Sequence, residues 1–147
     1  MDFTLSPRLE DLKGRITEFL DREVYPAEME VVAQADEIRP GVPYPPALVA
    51  MRRKAKQQGL WNLFLPDEHH GAGLKNWEYG VLCELRGRSL VAPLAFNCAA
   101  PDTGNIEILA EFGTDEQKQR WLAPLLAGDI RSCFSMTEPE VAGSDPT

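Results

Sequence analysis

The sequence is poor in the side chains that build disulfide frameworks and metal sites. It contains three cysteines and two histidines in 147 residues. Cys83, Cys98 and Cys133 are widely spaced and form no CxxC pair, so neither a disulfide-stabilised fold nor a structural zinc site is indicated. Reduced thiols are typical of a cytoplasmic protein, and we expect that location.

Basic charge is also scarce. The chain has 15 Lys and Arg against 23 Asp and Glu, which gives a formal net charge of −8. Neutralising phosphates requires clustered basic residues, so broad nucleic-acid binding is excluded. One short basic cluster is formed by Arg52, Arg53, Lys54 and Lys56. We interpret it as the solvated face of a helix, with a partner-binding patch as the alternative.

Long apolar runs are missing as well. None approaches the roughly 20 residues that a membrane-spanning helix needs. Residues 1–10 contain neither the apolar segment of a secretory signal nor an Arg- and Ser-rich presequence. We therefore expect a soluble, untargeted protein with no membrane span.

The first 130 residues carry apolar side chains at three- and four-residue spacing, which predicts helices packed on one core. The first helix follows Ser6-Pro7 and meets Pro26, which should kink or end it. Trp77 and Trp121 fall on apolar faces, and we expect Trp121 to be buried. Further helices are predicted from Pro46 to Gly59, Asn76 to Ser89, Leu90 to Ala100, Asp102 or Thr103 to Gly113, and Thr114 to Gly128. The predicted fold is all-α, with five to six helices in an N-terminal domain over residues 1–130.

The last seventeen residues, 131–147, differ from the helices. Up to Thr137 they are typical of a strand, and Pro139, which lacks an amide donor, ends it. Gly143 and Ser144 then lie in a turn that could offer backbone N–H groups and a hydroxyl to an anion. An ordinary strand and turn explains the same residues equally well. We predict the first strand and loop of a second, β-rich unit.

Three other groups of residues could carry chemistry, and each has a simpler interpretation. Residues 67–70 (DEHH) include metal-ligand types, but consecutive residues in a loop are typical of a solvated turn. Glu84, with Arg86 and Arg88 near it, could act as a general base, although local ion pairing is favoured. Cys98 could line a pocket or act as a nucleophile, whereas an inert buried thiol is the commoner case.

Several stretches resemble the acyl-CoA dehydrogenase family in order and spacing. MTEPEVAGSD at 136–145 resembles its flavin-binding signature, and FGTDEQKQRWL followed by PLLAG at 112–128 resembles one of its helices. GLW, LP and GAG between 59 and 73 resemble a loop of the family. APDTGN at 100–105 resembles the subgroup of animal long-chain members 10 and 11. That subgroup shares the one-residue-longer loop after Pro139.

The resemblance implies an N-terminal helical domain followed by the first strand of a truncated β-barrel domain. It implies an FAD-dependent α,β-dehydrogenation of an acyl-CoA thioester, with an electron-acceptor flavoprotein as partner and a homo-oligomer when full length. The loop and helices around Phe96 and Asn105 would border the acyl pocket. The implied FAD contacts are Phe134, Ser135, Met136, Thr137, Gly143 and Ser144, and Ser144 would also touch the acyl-CoA.

The family's catalytic base is a carboxylate of a C-terminal helical domain, and no Glu of this chain can be assigned that place. We therefore expect this chain to be the N-terminal part of the enzyme and inactive alone. The alternative is a catalytically silent helical module that associates with a full-length homologue or another partner. The coding sequence after Thr147 distinguishes these hypotheses.

Overall fold

A computed structural model describes residues 4–35, 38, 42–140 and 143, and within these residues all regular structure is helical. The predicted all-α class is therefore confirmed. The elements are α1 (Pro7–Phe19), a π-helical turn (Leu20–Val24), a 3-10 turn (Tyr25–Ala27), α2 (Glu28–Ala33), α3 (Pro46–Gln57), α4 (Asn76–Arg86), α5 (Ala92–Ala95), α6 (Asp102–Phe112), α7 (Asp115–Gln117), a second π-helical turn (Lys118–Leu122) and α8 (Ala123–Ala127).

In two helical rods a proline lies beyond the first turn of the rod, and a π-helical turn lies just before it. The turn Leu20–Val24 precedes Pro26, and the turn Lys118–Leu122 precedes Pro124. Proline inside an α-helix removes one hydrogen bond, and its ring clashes with the carbonyl four residues back. The wider turn gives that carbonyl room. Pro26 therefore changes the helix type without ending the rod from α1 to α2.

The core lies between α1, α3, α4 and α5, where α1 packs on α4 and α3 packs on α5. The rings of Phe19 and Phe96 are in contact at its centre, with centroids 5.1 Å apart. The helices α7 and α8 and the π-helical turn between them form one continuous rod, residues 115–127, called here the α7–α8 rod. A second, smaller core joins α6 to this rod. Its buried members are Phe64, Leu65, Ile106, Leu122 and Leu125.

The structure confirms the capping side chains and the glycines that predict several helix ends. Ser6 Oγ accepts a hydrogen bond from the Leu9 amide at the start of α1. Thr114 Oγ1 accepts from the Gln117 amide while Gln117 Oε1 accepts from the Thr114 amide, which completes the capping box before α7. Gly59 and Gly128 have φ of +64° and +71°, the left-handed conformation that ends a helix.

The helix predicted from Leu90 to Ala100 is much shorter, because α5 ends at Ala95. Ser89 Oγ accepts from the amides of Val91 and Ala92 and so fixes its start. Asn97 adopts φ of +57°, which a continuing helix does not allow. Apolar composition predicted the burial of this segment but overestimated its helical length.

The two tryptophans on predicted apolar faces are not buried. Trp121 is 41% exposed and Trp77 is 55% exposed. The guanidinium of Arg120 lies over the Trp121 ring at 5.0 Å, so this ring packs against a cation instead of the core. The expected burial of Trp121 is wrong, whereas Leu122 and Leu125 on the same rod are buried.

Residues 131–138 have no regular secondary structure, so the expected strand is not formed among the described residues. A strand exists only by hydrogen bonding to another strand, and the described part of the chain offers none. The division into units at residue 130 stays a prediction. No helix in the described residues is both long and apolar enough to cross a membrane.

Gly128 gives a direct test of this architecture. A Cβ at position 128 would lie 2.4 Å from Arg52 Nη2 and 2.7 Å from Trp61 Cζ2, in a backbone conformation that disfavours side chains. We expect Gly128→Ala to lower the free energy of unfolding by about 1–3 kcal/mol in urea denaturation. The matched control is Gly80→Ala in α4, where nothing lies within 4 Å, and it should raise stability by about 0.5–1 kcal/mol. Equal effects at both positions would contradict this account.

Candidate cofactor site

The end of the α7–α8 rod is held by side chains from other segments. Asn97 Nδ2 donates to the Leu125 carbonyl at 3.1 Å, and Trp61 Nε1 donates to the Leu126 carbonyl at 2.7 Å. The carbonyls of residues 127 and 128 accept from the side chains of Lys56 and Arg52. A helix leaves its last four carbonyls without helical partners and carries partial negative charge there. These four donors, two of them cationic, satisfy both requirements together with Asn62 Nδ2, which also donates to the Leu126 carbonyl.

Arg52 is the more deeply buried of the two cationic donors and is only 8% exposed, whereas Lys56 is exposed. Its Nη1 donates to the Leu94 carbonyl at 2.7 Å, and its Nη2 donates to Gly128 O at 3.3 Å. Its guanidinium lies over the rings of Tyr44 and Trp61, at 4.6 and 4.7 Å from their centroids. Among the described residues, none of the ion pairs includes Arg52. Burial lowers the pKa of Arg52, and the neighbouring Tyr44 opposes that shift.

The expectation of a solvated basic face is therefore wrong for Arg52. Carbonyl oxygens and aromatic faces replace its hydration shell, which allows a cation to be buried. Arg53 is exposed, as expected, and the Lys54 ammonium pairs with Glu23.

A cleft of about 390 Å³ opens beside Arg52, between the core helices and the segment that follows α8. One wall contains Tyr44, Arg52 and Asn97, and the other contains Asp102 and residues 131–134. The Arg131 guanidinium lies 4.7 Å from the Tyr44 ring centroid and donates to the Val42 carbonyl at 3.2 Å. Tyr44 therefore contacts both Arg52 and Arg131, and these contacts connect the two walls.

The start of the predicted flavin segment is attached to α6. The Ser132 amide donates to Asp102 Oδ1 at 2.7 Å, and the Ser132 hydroxyl donates to the same oxygen at 2.6 Å. Asn105 Nδ2 donates to Ser132 Oγ at 2.8 Å. Residue 132 is thus fixed on the helix by three hydrogen bonds, although no strand pairs with it.

The predicted cofactor residues 134–137 are all exposed. Phe134 and Met136 are 60% and 66% exposed, so two large apolar side chains lie at the surface within three residues of each other. Phe134 rests against α6, because a Cβ at Gly104 would lie 3.7 Å from Phe134 Cζ. The segment therefore presents apolar surface and the hydroxyls of Ser135 and Thr137 together.

Thr137 and Gly143, which the sequence pattern assigned to one cofactor, are brought together. A Cβ at Gly143 would lie 3.3 Å from Thr137 Oγ1, so the missing side chain keeps the space beside this hydroxyl open. Ser144, predicted to contact both FAD and acyl-CoA, lies outside the described residues. Of the predicted pyrophosphate pair, only Gly143 can be located.

Residues 67–70 form a turn, as predicted. The amides of His69 and His70 both donate to Asp67 Oδ1 at 2.7 Å. The His70 amide is the main cause that lowers the pKa of Asp67. Within the described ranges, no group of three or more His, Cys, Asp or Glu could hold a metal ion. Glu84 Oε1 lies 3.4 Å from Arg88 Nη2, which confirms the local ion pair.

Cys98 belongs to a partly buried polar cluster. The Arg86 guanidinium donates to the sulfur atoms of both Cys98 and Cys83, and it lies 4.4 Å from the centroid of the Tyr79 ring. Burial raises the pKa of the Cys98 thiol, which disfavours the thiolate that a nucleophile needs. This environment favours the inert thiol over the nucleophile.

Sequence reasoning missed Arg52 as a buried residue and Asp102 as the partner of Ser132. The signal for Arg52 was present, since Leu48, Met51, Arg52 and Ala55 follow the i, i+3, i+4, i+7 spacing of one helix face. The sequence pattern places Asp102 only at the start of a predicted helix. Its bond to a residue 30 positions away has no local signature.

Comparison with known proteins identifies the family. The profile of the family described as "Acyl-CoA dehydrogenase, N-terminal domain" matches residues 6–129. The chain belongs to the acyl-CoA dehydrogenase family. It is 52% identical over 149 residues to mouse "Acyl-CoA dehydrogenase family member 10". It is 48% identical over 151 residues to "Probable acyl-CoA dehydrogenase FadE2" of Mycobacterium tuberculosis.

A solved structure from Mycobacterium abscessus, assigned as an acyl-CoA dehydrogenase, superposes on the chain with a TM-score of 0.86 and 52% identity. The match covers 97% of this chain and 37% of that one. The mouse and M. tuberculosis matches cover 96% and 99% of this chain, but only 14% and 35% of those relatives. The chain therefore corresponds to a minor part of the family members it matches.

The buried guanidinium can be tested by a conservative substitution. Arg52→Lys retains the charge but cannot bridge the Leu94 and Gly128 carbonyls with one planar group. We expect the free energy of unfolding to fall by about 1–3 kcal/mol in urea denaturation. The exposed neighbour Arg53→Lys is the matched control and should change it by less than about 0.5 kcal/mol. An Arg52→Lys variant as stable as the control would show that the carbonyl bridge contributes nothing.

Proposed function

We propose that this chain is the N-terminal domain of an FAD-dependent acyl-CoA dehydrogenase, which forms an α,β double bond in an acyl-CoA thioester. The observation that carries the proposal is the exposed segment 134–137, which follows directly on a helical unit of this family. Phe134 and Met136 expose apolar surface that a ligand or another part of the enzyme would remove from water.

The residues present fit a flavin. A flavin ring is planar and apolar on its faces, and it has a polar edge. Phe134 and Met136 supply apolar surface, while Ser135 and Thr137 supply hydroxyl groups next to it. The absence of a side chain at Gly143 leaves the Thr137 hydroxyl open on that side. Gly143 and Ser144 would hold the pyrophosphate through backbone N–H groups and a hydroxyl, and Ser144 would also contact the acyl-CoA.

When bound, FAD supplies the hydride acceptor for the oxidation of the thioester. The described residues then have binding and orienting roles. Thr137 would donate its hydroxyl or amide hydrogen to the flavin edge, and Phe134 and Met136 would exclude water from the ring face. The cleft lined by Tyr44, Arg52 and Asn97 borders this segment, so the helical domain would wall the same site.

The general base would come from outside these residues. Asp102 is the only carboxylate among the described residues that line the cleft. Its Oδ1 already accepts two hydrogen bonds from Ser132, so we assign it no role in proton abstraction. The electron-acceptor flavoprotein, the homo-oligomeric state and the cytoplasmic location belong to the same proposal. The three free cysteines, Cys83, Cys98 and Cys133, are compatible with that location.

The 147-residue chain alone should not oxidise acyl-CoA. With added FAD, acyl-CoA thioesters of short, medium and long chain, and a dye as electron acceptor, we expect dye reduction at the blank rate, because the described residues that line the cleft include no carboxylate that we assign to proton abstraction. An active acyl-CoA dehydrogenase serves as the positive control. Dye reduction above the blank that depends on acyl-CoA would refute the assignment of the base to another part of the enzyme.

The flavin contacts can be tested in the complete flavin-binding protein. Thr137→Ala and Ser144→Ala each remove one hydroxyl, and we expect each to raise the dissociation constant of FAD about 5- to 20-fold. Titration of the apoprotein with FAD, followed by flavin fluorescence, measures this. Thr17→Ala is the control, because its hydroxyl bonds to the Lys13 carbonyl on the surface of α1. If both variants bound FAD as tightly as the control, the site assignment would be wrong.

A further inference from the structure

The junction between α6 and the segment after α8 is held mainly by one carboxylate. Asp102 Oδ1 accepts from both the amide and the hydroxyl of Ser132, at 2.7 and 2.6 Å. Hydrogen bonds to an ionised carboxylate are shorter and about twice as strong as those between neutral groups. Both bonds are partly buried, so water competes with them less than at an open surface.

Ser132 has little freedom left at this junction. Its hydroxyl donates to Asp102 and accepts from Asn105 Nδ2, which lies one helical turn further along α6. Its amide donates to Asp102 as well. The amide and the hydroxyl of Ser132 therefore both bond to α6. These bonds fix its position along the helix axis and the orientation of its side chain.

The position of Ser132 determines how the following residues face. In an extended chain, side chains alternate between the two sides, so residues two apart share a side. Phe134, two residues beyond Ser132, also faces α6, where it lies against Gly104. If such a segment shifted by one residue, the side chains that face α6 would face away from it, and those that face away would face α6. The contact at Ser132 therefore sets the register of residues 132–137.

We propose that Asp102 is a positioning residue for the flavin site: it fixes the register of residues 132–137 through Ser132 and does not touch the flavin. The role in flavin binding rests on the proposed function. The role in fixing the segment rests only on the hydrogen bonds and on the contact of Phe134 with α6.

A simpler role for Asp102 would be charge stabilisation of the α6 N-terminus, where a carboxylate is favourable. Asp115 provides the control for that role, since it opens α7 at the same helical position and is exposed. A helix-terminus effect should be similar for the two aspartates. A positioning effect should occur only at Asp102.

The first experiment measures amide exchange in the 147-residue chain, with no cofactor present. We expect Asp102→Ala to increase the exchange rate of the Ser132 amide at least about tenfold, because its acceptor is removed. Asp102→Asn retains a neutral acceptor of the same shape and should give an intermediate rate. Asp115→Ala should leave exchange at residues 132–137 unchanged. Unchanged exchange in Asp102→Ala would overturn the proposal.

The second experiment uses the same variants in the complete flavin-binding protein and measures FAD affinity and the flavin absorption spectrum. We expect Asp102→Ala to weaken FAD binding about tenfold and to shift the visible bands, with partial rescue in Asp102→Asn. A purely local structural role would raise amide exchange at Ser132 without changing either property, and that result would overturn the positioning role. Failure of the wild-type protein to bind FAD would instead refute the proposed function.

Discussion

The structure depends most on Arg52, a charged side chain that is buried where the loss of hydration costs free energy. Arg52 lies within the core, and carbonyl oxygens and aromatic faces take the place of its water shell. Its hydrogen bonds join α3 to the end of α5 and to the end of α8, whose acceptor carbonyls lie 42 and 76 residues further along the chain. Removing a partner from such a group leaves a buried charge or carbonyl unsatisfied, which costs more than the bond itself contributes. The meeting of these three segments is therefore tightly specified.

The helical unit also determines where the exposed segment begins. The end of α8 is fixed by Arg52, Lys56 and Trp61, and Arg131 contacts the same Tyr44 ring as Arg52. Ser132 is then held on α6. The segment thus leaves the helical unit in a defined direction, although no β-sheet supports it. The contacts of the helical unit alone therefore fix the start of the exposed segment.

Local features were predictable from the sequence, and contacts between distant residues were not. The capping box at Thr114, the glycine at 128 and the apolar stripe of α1 each rest on a few neighbouring residues, and each is confirmed. The prediction of a helix from Leu90 to Ala100 is too long because Asn97 bonds to Asn62 and to the Leu125 carbonyl. Both partners lie far from residue 97 in the sequence, so the residues around it do not reveal these bonds. The burial of Arg52 was readable from helix periodicity, but its charge argued for solvent. The predicted cofactor residues rest on resemblance to a family, because the exposure of residues 134–137 cannot be read from the sequence alone.

The left-handed turn at residue 128 has a consequence for how this domain can change in evolution. The space that a side chain would need there is taken by the guanidinium of Arg52 and the indole of Trp61. The cost of a substitution at 128 therefore depends on which residues stand at 52 and 61, and the three positions should behave non-additively. A shorter residue at 52 would open the space but leave the Gly128 carbonyl without its side-chain donor. We therefore expect these three positions to be substituted together, because the residues present at two of them determine which residues the third can accept.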